Sequence, residues 1–171
     1  MYPSNRFLNN LSSLQGLQVL IVDNNVDCCD LITILLQLYG VEVQQAFSAP
    51  QALEIFEQWQ PYIVVSDISL PKEDGYALIQ KVKSKAKERG QVVLAIAVTG
   101  YADEKMCERA LSGGFDLWFT KPLDIDEFVA VLACLAVCQQ SSYAIAQRIL
   151  DHVPKYGDLS LEQQLEASVS S

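Results

Sequence analysis

Three stretches of the chain are continuously apolar: Val19-Leu20-Ile21-Val22, Tyr62-Ile63-Val64-Val65, and the run from Val92 to Val98. They are short, rich in Val and Ile, and do not alternate with polar residues. That pattern predicts strands buried on both faces of a parallel sheet. Two weaker strands are predicted at 41–46 (VEVQQA) and 115–120 (FDLWFT). Between them the apolar residues fall at helical spacing. Leu31, Ile34, Leu35 and Leu38 lie at i, i+3, i+4 and i+7, one face of a helix, with Gly40 as its stop. Ser48 and Gln51 form a capping-box pattern for a second helix through Trp59, which is expected to sit in the core. Leu78, Val82 and Ala86 mark a third helix, ended by Gly90. Met106 and Ala110 mark a fourth, closed by Gly113 and Gly114. Asp124 caps a fifth that contains Phe128, Val131, Leu132 and Leu135.

Strand followed by helix, five times over, predicts right-handed crossovers and helices on both sheet faces. The fold class is therefore α/β: a doubly wound, five-stranded parallel sheet in the flavodoxin-like order 2-1-3-4-5, whose ligands sit at the carboxyl ends of the strands. Residues 1–16 are polar and expected to be loose, residues 17–140 form the domain, and residues 141–171 are an extension. In that extension 141–153 suits a sixth amphipathic helix through Ala146, Ile149 and Val153, broken by Pro154 and followed by an acidic, polar tail.

Composition narrows the function. Half of the 171 residues are hydrophobic, enough for a sizeable core. The net charge of −9 and pI near 4.5 argue against nucleic acid and anionic membranes as partners. The five cysteines are odd in number and Cys28 and Cys29 are adjacent, so no disulfide framework is expected and the compartment is taken to be reducing and cytoplasmic. His152 is the single histidine, which leaves the thiols without the partners of a metal site. The first sixteen residues contain no apolar core of a signal peptide. The longest apolar run, 128–138, is shorter than the roughly 20 residues a bilayer span needs.

The chemistry gathers at the predicted strand ends. Strand 1 ends in Asp23, followed by Asn24 and Asn25. Strand 3 ends in Asp67, strand 4 in Thr99, and strand 5 is followed by Lys121 and Pro122. In the doubly wound order these ends are neighbours, so two carboxylates, a carboxamide, a hydroxyl and an ammonium meet in one crevice. A carboxylate at the end of a buried run is costly unless something satisfies it. Asp23, Asp67 and Asn24 offer hard oxygen ligands suited to Mg²⁺. An ionised Asp67 is a candidate nucleophile for aspartyl-phosphate formation, with Lys121 and Thr99 placed for the phosphoryl oxygens.

The segments VLIVDNNVD, VVSDISLPKEDGYALI, AIAVTGYAD and FDLWFTKPLD resemble, in this order, the motifs of the receiver domain of two-component response regulators, over about residues 17–138. The resemblance implies that Asp67 is the phosphoacceptor and Asp23 the first of an acidic pair. It implies that Ser69 offers its backbone carbonyl to the metal, and that Thr99 and Lys121 are the switch hydroxyl and the phosphate-binding lysine. Tyr101 then overlooks the phosphoryl group and Trp118 is the switch aromatic. It further implies a histidine kinase or phosphotransfer protein as donor, a downstream protein target, and a possible homodimer through helix 4, strand 5 and helix 5. Such a chain is a phosphoaccepting signalling domain, not an enzyme. Pro71 and Gly75 are read as turn residues and Asp74 as a charge at a helix N-terminus.

One departure stands out. The family carries two adjacent acids after strand 1, where this chain has Asp23-Asn24. Asn24 still offers a carbonyl oxygen but no charge, which weakens metal binding. Because Asp67, Thr99 and Lys121 are all present, Mg²⁺-dependent phosphorylation is expected. The alternative is a pseudo-receiver that binds partners without it. A bulky Tyr101 is expected to slow autodephosphorylation by shielding the phosphoryl group. A flavin site is not expected, since DNNVDC lacks a phosphate loop, nor a phosphohydrolase, since Ser69 stands where a second acid is needed. No stretch resembles a helix-turn-helix with a basic patch, so the expected output is protein binding.

Overall fold

The computed structural model describes residues 11–100 and 103–152, and the chain divides into two units, Met1–Ala136 and Val137–Ser171. The first unit holds the sheet. Its strands are β1 (Gln18–Val22), β2 (Glu42–Ala46), β3 (Ile63–Ser66), β4 (Leu94–Thr99) and β5 (Leu117–Thr120). All pair in parallel, in the order β2-β1-β3-β4-β5, the predicted arrangement. The helices are α1 (Val26–Gln37), α2 (Ala49–Trp59), α3 (Gly75–Glu88), α4 (Glu104–Ser112) and α5, which spans Ile125–His152.

The strands lack alternation because both faces are covered. Leu20 and Val22 of β1, Val64 of β3 and Ala95 and Ala97 of β4 point into one cluster with Phe56, Leu78, Ile79, Val82 and Ala110 from α2, α3 and α4. The intervening residues Val19, Ile21, Ile63, Val65, Ile96 and Val98 point into the other, with Cys29, Ile32 and Leu36 of α1 and Phe128 and Leu132 of α5. Burying each large apolar side chain stabilises the fold by about 1.5–3 kcal/mol. Truncating Phe128, fully buried and edge-on to Phe119 with ring centroids 5.3 Å apart, would cost about 3–5 kcal/mol. Trp59, expected in the core, is partly buried against the first cluster.

Three expectations need correction. Leu31, Ile34 and Leu38 do share one side of α1, but it faces outward: they are 59%, 59% and 77% exposed. The helix packs through Cys29, Ile32 and Leu36 instead. The segment expected to be loose is ordered from residue 11: Ser12–Leu14 form a 3-10 turn, Leu14 is fully buried, and the Ser13 hydroxyl donates to the Ala133 carbonyl at 3.1 Å. No separate sixth helix forms, because α5 continues unbroken to His152.

Capping follows the predicted chemistry. The Ser48 hydroxyl accepts from Gln51 N–H, while the Gln51 amide oxygen accepts from Phe47 N–H, one residue before the expected partner. Asp74 caps α3 by accepting from Ala77 N–H at 2.9 Å, and Asp124 caps α5 by accepting from Glu127 N–H at 3.1 Å.

Candidate functional site

Asp23, Asp67 and Lys121 each sit one step past a strand at the carboxyl edge of the sheet and are held there by a continuation of the ladder. Asp23 N–H donates to the Ala46 carbonyl at 3.1 Å, Asp67 N–H to Val22 at 2.9 Å, and Lys121 N–H to Thr99 at 2.8 Å. The parallel register therefore carries Asp23, Asp67 and Lys121 to one place. Asp23 is 5% exposed and Thr99 3%. The Lys121–Pro122 peptide is cis.

The two carboxylates are held in the same way. Asp23 Oδ1 accepts from Asn25 N–H at 2.9 Å, and Asp67 Oδ1 accepts from Ser69 N–H at 3.0 Å. Each is an Asx turn in which the side chain bonds the backbone two residues on. The second oxygens converge on one cation: Lys121 Nζ lies 2.7 Å from Asp23 Oδ2 and 3.2 Å from Asp67 Oδ2. Burial acts to lower the Lys121 pKa, but the Asp23 hydrogen bond and the charges of Asp67 and Asp23 outweigh it and hold the ammonium above its usual value.

Around this centre, Asn25 caps α1 by accepting from Cys28 N–H at 3.2 Å. The buried Cys29 thiol donates to the Asp23 carbonyl at 3.4 Å. Burial, and then the charge of Asp23, push that thiol up to about 11. Beneath Asp67, the fully buried Ser66 hydroxyl donates to the Asp67 carbonyl at 2.8 Å. None of these supports was singled out from the sequence, although Asn25, a cap residue before an apolar helix, carried a legible signal.

The other expected residues fall as follows. Asn24 and Ser69 are exposed beside the acids. Thr99 joins the cluster through its backbone bond to Lys121. Trp118, opposite Ala97 in the β4–β5 ladder, is 38% exposed on the edge strand. Tyr101 lies outside the described residues. Gly75, read as a turn residue, instead opens α3 with its Cα against the Asp67 backbone.

Among the described residues no group of three or more His, Cys, Asp and Glu side chains is arranged to hold a metal. A divalent cation would draw on two carboxylates, supplemented by the neutral oxygens of Asn24 and the Ser69 backbone. That set fits Mg²⁺, which takes one or two carboxylates and keeps several waters. Lys121 Nζ, bridging the same two carboxylates, shows that they accommodate positive charge between them.

Comparison with known proteins agrees with the fold. The response regulator receiver domain family matches residues 19–133. A 14.6 kDa protein encoded beside sodA1 in Leptolyngbya boryana is 36% identical over 74% of this chain and 96% of its own length. The DNA-binding transcriptional regulator RpaA of Synechocystis is 30% identical over 69% of this chain, but over only 48% of its own length. A CheY-like receiver domain from Methanospirillum hungatei superimposes with a TM-score of 0.67 at 25% identity, over 75% of this chain and 99% of that one. The receiver domain of yeast Ssk1, solved in complex with the phosphotransfer protein Ypd1, shares the fold with a TM-score of 0.63 at 20% identity, over 67% of this chain and 85% of that one. A doubly wound sheet with two acids and a lysine at its carboxyl edge, in a chain that the family matches across most of its length, places this protein in the response regulator receiver family of two-component signal transduction.

Proposed function

We propose that this receiver accepts a phosphoryl group on Asp67 from a phosphohistidine of a histidine kinase or phosphotransfer protein. The observation that carries this is Lys121 Nζ held between Asp23 Oδ2 and Asp67 Oδ2. An Asp67 oxygen attacks phosphorus, the P–N bond of the donor breaks, the imidazole leaves, and an acyl phosphate forms. Asp23, Asn24, Asp67 and the Ser69 carbonyl would hold Mg²⁺, which would supply charge neutralisation for the transferring group. Lys121 is placed to follow the new phosphoryl oxygens. Thr99, buried at the end of β4, and Trp118, exposed on β5, are the groups through which the change reaches the α4–β5–α5 surface, the proposed face for a downstream protein or a second copy. Tyr101 is proposed to shield the acyl phosphate from water and so prolong its life; Tyr101→Ala would then speed its decay. The proposed setting is the cytoplasm.

The outward apolar side of α1 suits the donor. Leu31, Ile34 and Leu38 are exposed along one side of a helix that begins three residues after Asp23. A donor whose histidine reaches Asp67 is proposed to dock on this strip, where burying it favours binding. Transfer from a phosphorylated phosphotransfer protein tests the proposal. Label should appear on this chain, be absent from Asp67→Ala, and slow with Leu31→Asp or Ile34→Asp. Equal labelling of Asp67→Ala would exclude the assignment.

A pseudo-receiver is the second reading, and one observation favours it: Asn24 stands, exposed and uncharged, where the family carries an acid. In that case the same surface binds its partner without modification at Asp67.

A further inference from the structure

Gly75 and Gly113 are glycines that no turn demands. Neither has the positive φ that favours glycine, and Gly113 lies at −78°. Each instead marks a contact too close for a β-carbon. At Gly75 the neighbour is the Asp67 carbonyl oxygen, 2.5 Å from where a β-carbon would lie. At Gly113 it is the ring of Tyr76, whose Cδ1 would lie 2.6 Å away. Tyr76 follows Gly75 in the first turn of α3, so the two contacts are consecutive along one turn of helix. Phe115 meets the Tyr76 ring edge-on, with centroids 6.1 Å apart. Arg109 of α4 lays its guanidinium over the face of the same ring, with Cζ 4.8 Å from the centroid.

From Asp67 to α4 the packing is thus continuous and, at both glycines, at the limit of approach. Dense packing of this kind transmits displacement rather than absorbing it. The helix best placed to respond is α4. Among its described side chains Ala110 alone is buried, and Leu111 is 49% exposed. By contrast α3 buries Tyr76, Leu78, Ile79, Val82 and Ala86. A helix with so little apolar contact opens locally at low cost, so a cation held on an aromatic face is a large share of what fixes it. The loop that follows α4 is fastened separately: Asp116 Oδ2 accepts from Ala95 N–H at 2.8 Å and from Lys83 Nζ at 2.5 Å. That loop therefore stays with the sheet when α4 moves.

We infer that Arg109 on Tyr76 is a latch: it holds α4 against the first turn of α3 and couples the position of α4 to the Asp67 peptide. The coupling runs both ways, as any equilibrium coupling must. A change at Asp67 that shifts Gly75 loosens Arg109 from the ring, and a partner that draws α4 away relaxes the turn braced on Asp67. Release by a phosphoryl group rests on the phosphoacceptor reading above, whereas the latch itself belongs to the unmodified chain. It uses neither Thr99 nor Trp118.

Amide hydrogen exchange on the full, unmodified chain tests the latch. Arg109 is exposed, so Arg109→Gln removes the cation and leaves the core intact. Exchange should speed about two- to fivefold along α4 and also in the first turn of α3, at Ala77 and Leu78, the range expected for an exposed cation–π contact; α1 should be unchanged. Arg109→Lys, which keeps a cation, should stay near wild type. An arginine that acts only on the carbonyl end of its own helix would speed α4 and leave α3 as it is. That result would overturn the inference, as would an unchanged α4. Exchange is then repeated after incubation with a small-molecule phosphodonor and Mg²⁺. Wild-type α4 should speed toward the Arg109→Gln level, and Arg109→Gln should gain nothing further. Equal gains in both proteins would separate Asp67 from the latch and overturn the coupling. A wild type that takes no label would fail the phosphoacceptor reading alone, and the coupling would then stand or fall on the exchange of α3 in the unmodified chain.

Discussion

Gly75 and Asp67 are packed backbone to backbone. A β-carbon on Gly75 would lie 2.5 Å from the Asp67 carbonyl oxygen and 2.9 Å from Ile68 Cα, and Gly75 N–H donates to the Ile68 carbonyl at 2.8 Å. The first turn of α3, capped by Asp74, is thereby braced against the Asp67 peptide. Gly75→Ala should lower stability by about 1–3 kcal/mol, the usual cost of forcing in a methyl group. That would override the gain of about 1 kcal/mol that Ala brings to a helix. Urea denaturation reads this directly, and a raised midpoint would contradict the packing.

Lys121 ties the two acids together, so its removal should show in metal linkage as well as in folding. Lys121→Ala leaves two close carboxylates with no cation between them and should cost about 1–3 kcal/mol. Mg²⁺ would then relieve a larger repulsion than in wild type and raise the unfolding midpoint further. An equal Mg²⁺-induced shift in the two proteins would show that the acids do not form the cation site.

Asn24 sets the charge available to that site. It is exposed, so an added carboxylate would act on a nearby cation with about 1 kcal/mol, the value for charges some 4 Å apart in water. Asn24→Asp should therefore tighten Mg²⁺ binding about fivefold, measured by titration calorimetry or by the Mg²⁺ dependence of labelling. Unchanged affinity would place Asn24 outside the metal's coordination.

Cys29 links folding to alkaline pH. Its thiol is raised from 9.0 to about 11 by burial and by Asp23. A pKa raised on folding contributes stability that is present below the unfolded value and is lost as pH climbs through the folded one. The window is thus about pH 9 to 11, and the loss is roughly 2–3 kcal/mol at the 1.36 kcal/mol carried by each pKa unit. Cys29→Ala should lack this part of the alkaline decline. In the folded protein Cys29 should also resist alkylation while Cys28 and Cys134 react. Equal labelling of all three would contradict its burial.

The sheet was legible in the sequence because strands covered on both faces must be apolar throughout, as Val19–Val22 are. The same reasoning misled at α1. That helix is apolar on two sides, and periodicity identifies a face without telling which one meets the sheet; Cys29, Ile32 and Leu36 do, while Leu31, Ile34 and Leu38 stay outside. At α5 a separate helix was expected from residue 141, but no Gly or Pro interrupts the sequence between Ile125 and Pro154. The convergence of Asp23, Asp67 and Lys121 followed from strand order alone. What strand order could not supply was the second layer: the backbone N–H groups of Asn25 and Ser69 that fix the two Oδ1 atoms, the thiol of Cys29 behind Asp23, and the close approach that reserves position 75 for glycine. Those depend on loop geometry, which no apolar period encodes.

The most direct test of phosphoacceptance is the intact mass of the protein after incubation with a small-molecule phosphodonor and Mg²⁺, beside Asp67→Ala and Asn24→Asp. The account predicts a single phosphoryl adduct on wild type, none on Asp67→Ala, and the same adduct at lower Mg²⁺ on Asn24→Asp. A wild-type protein that stays unmodified while Asn24→Asp is labelled would contradict it, and would make this chain a receiver silenced at Asn24.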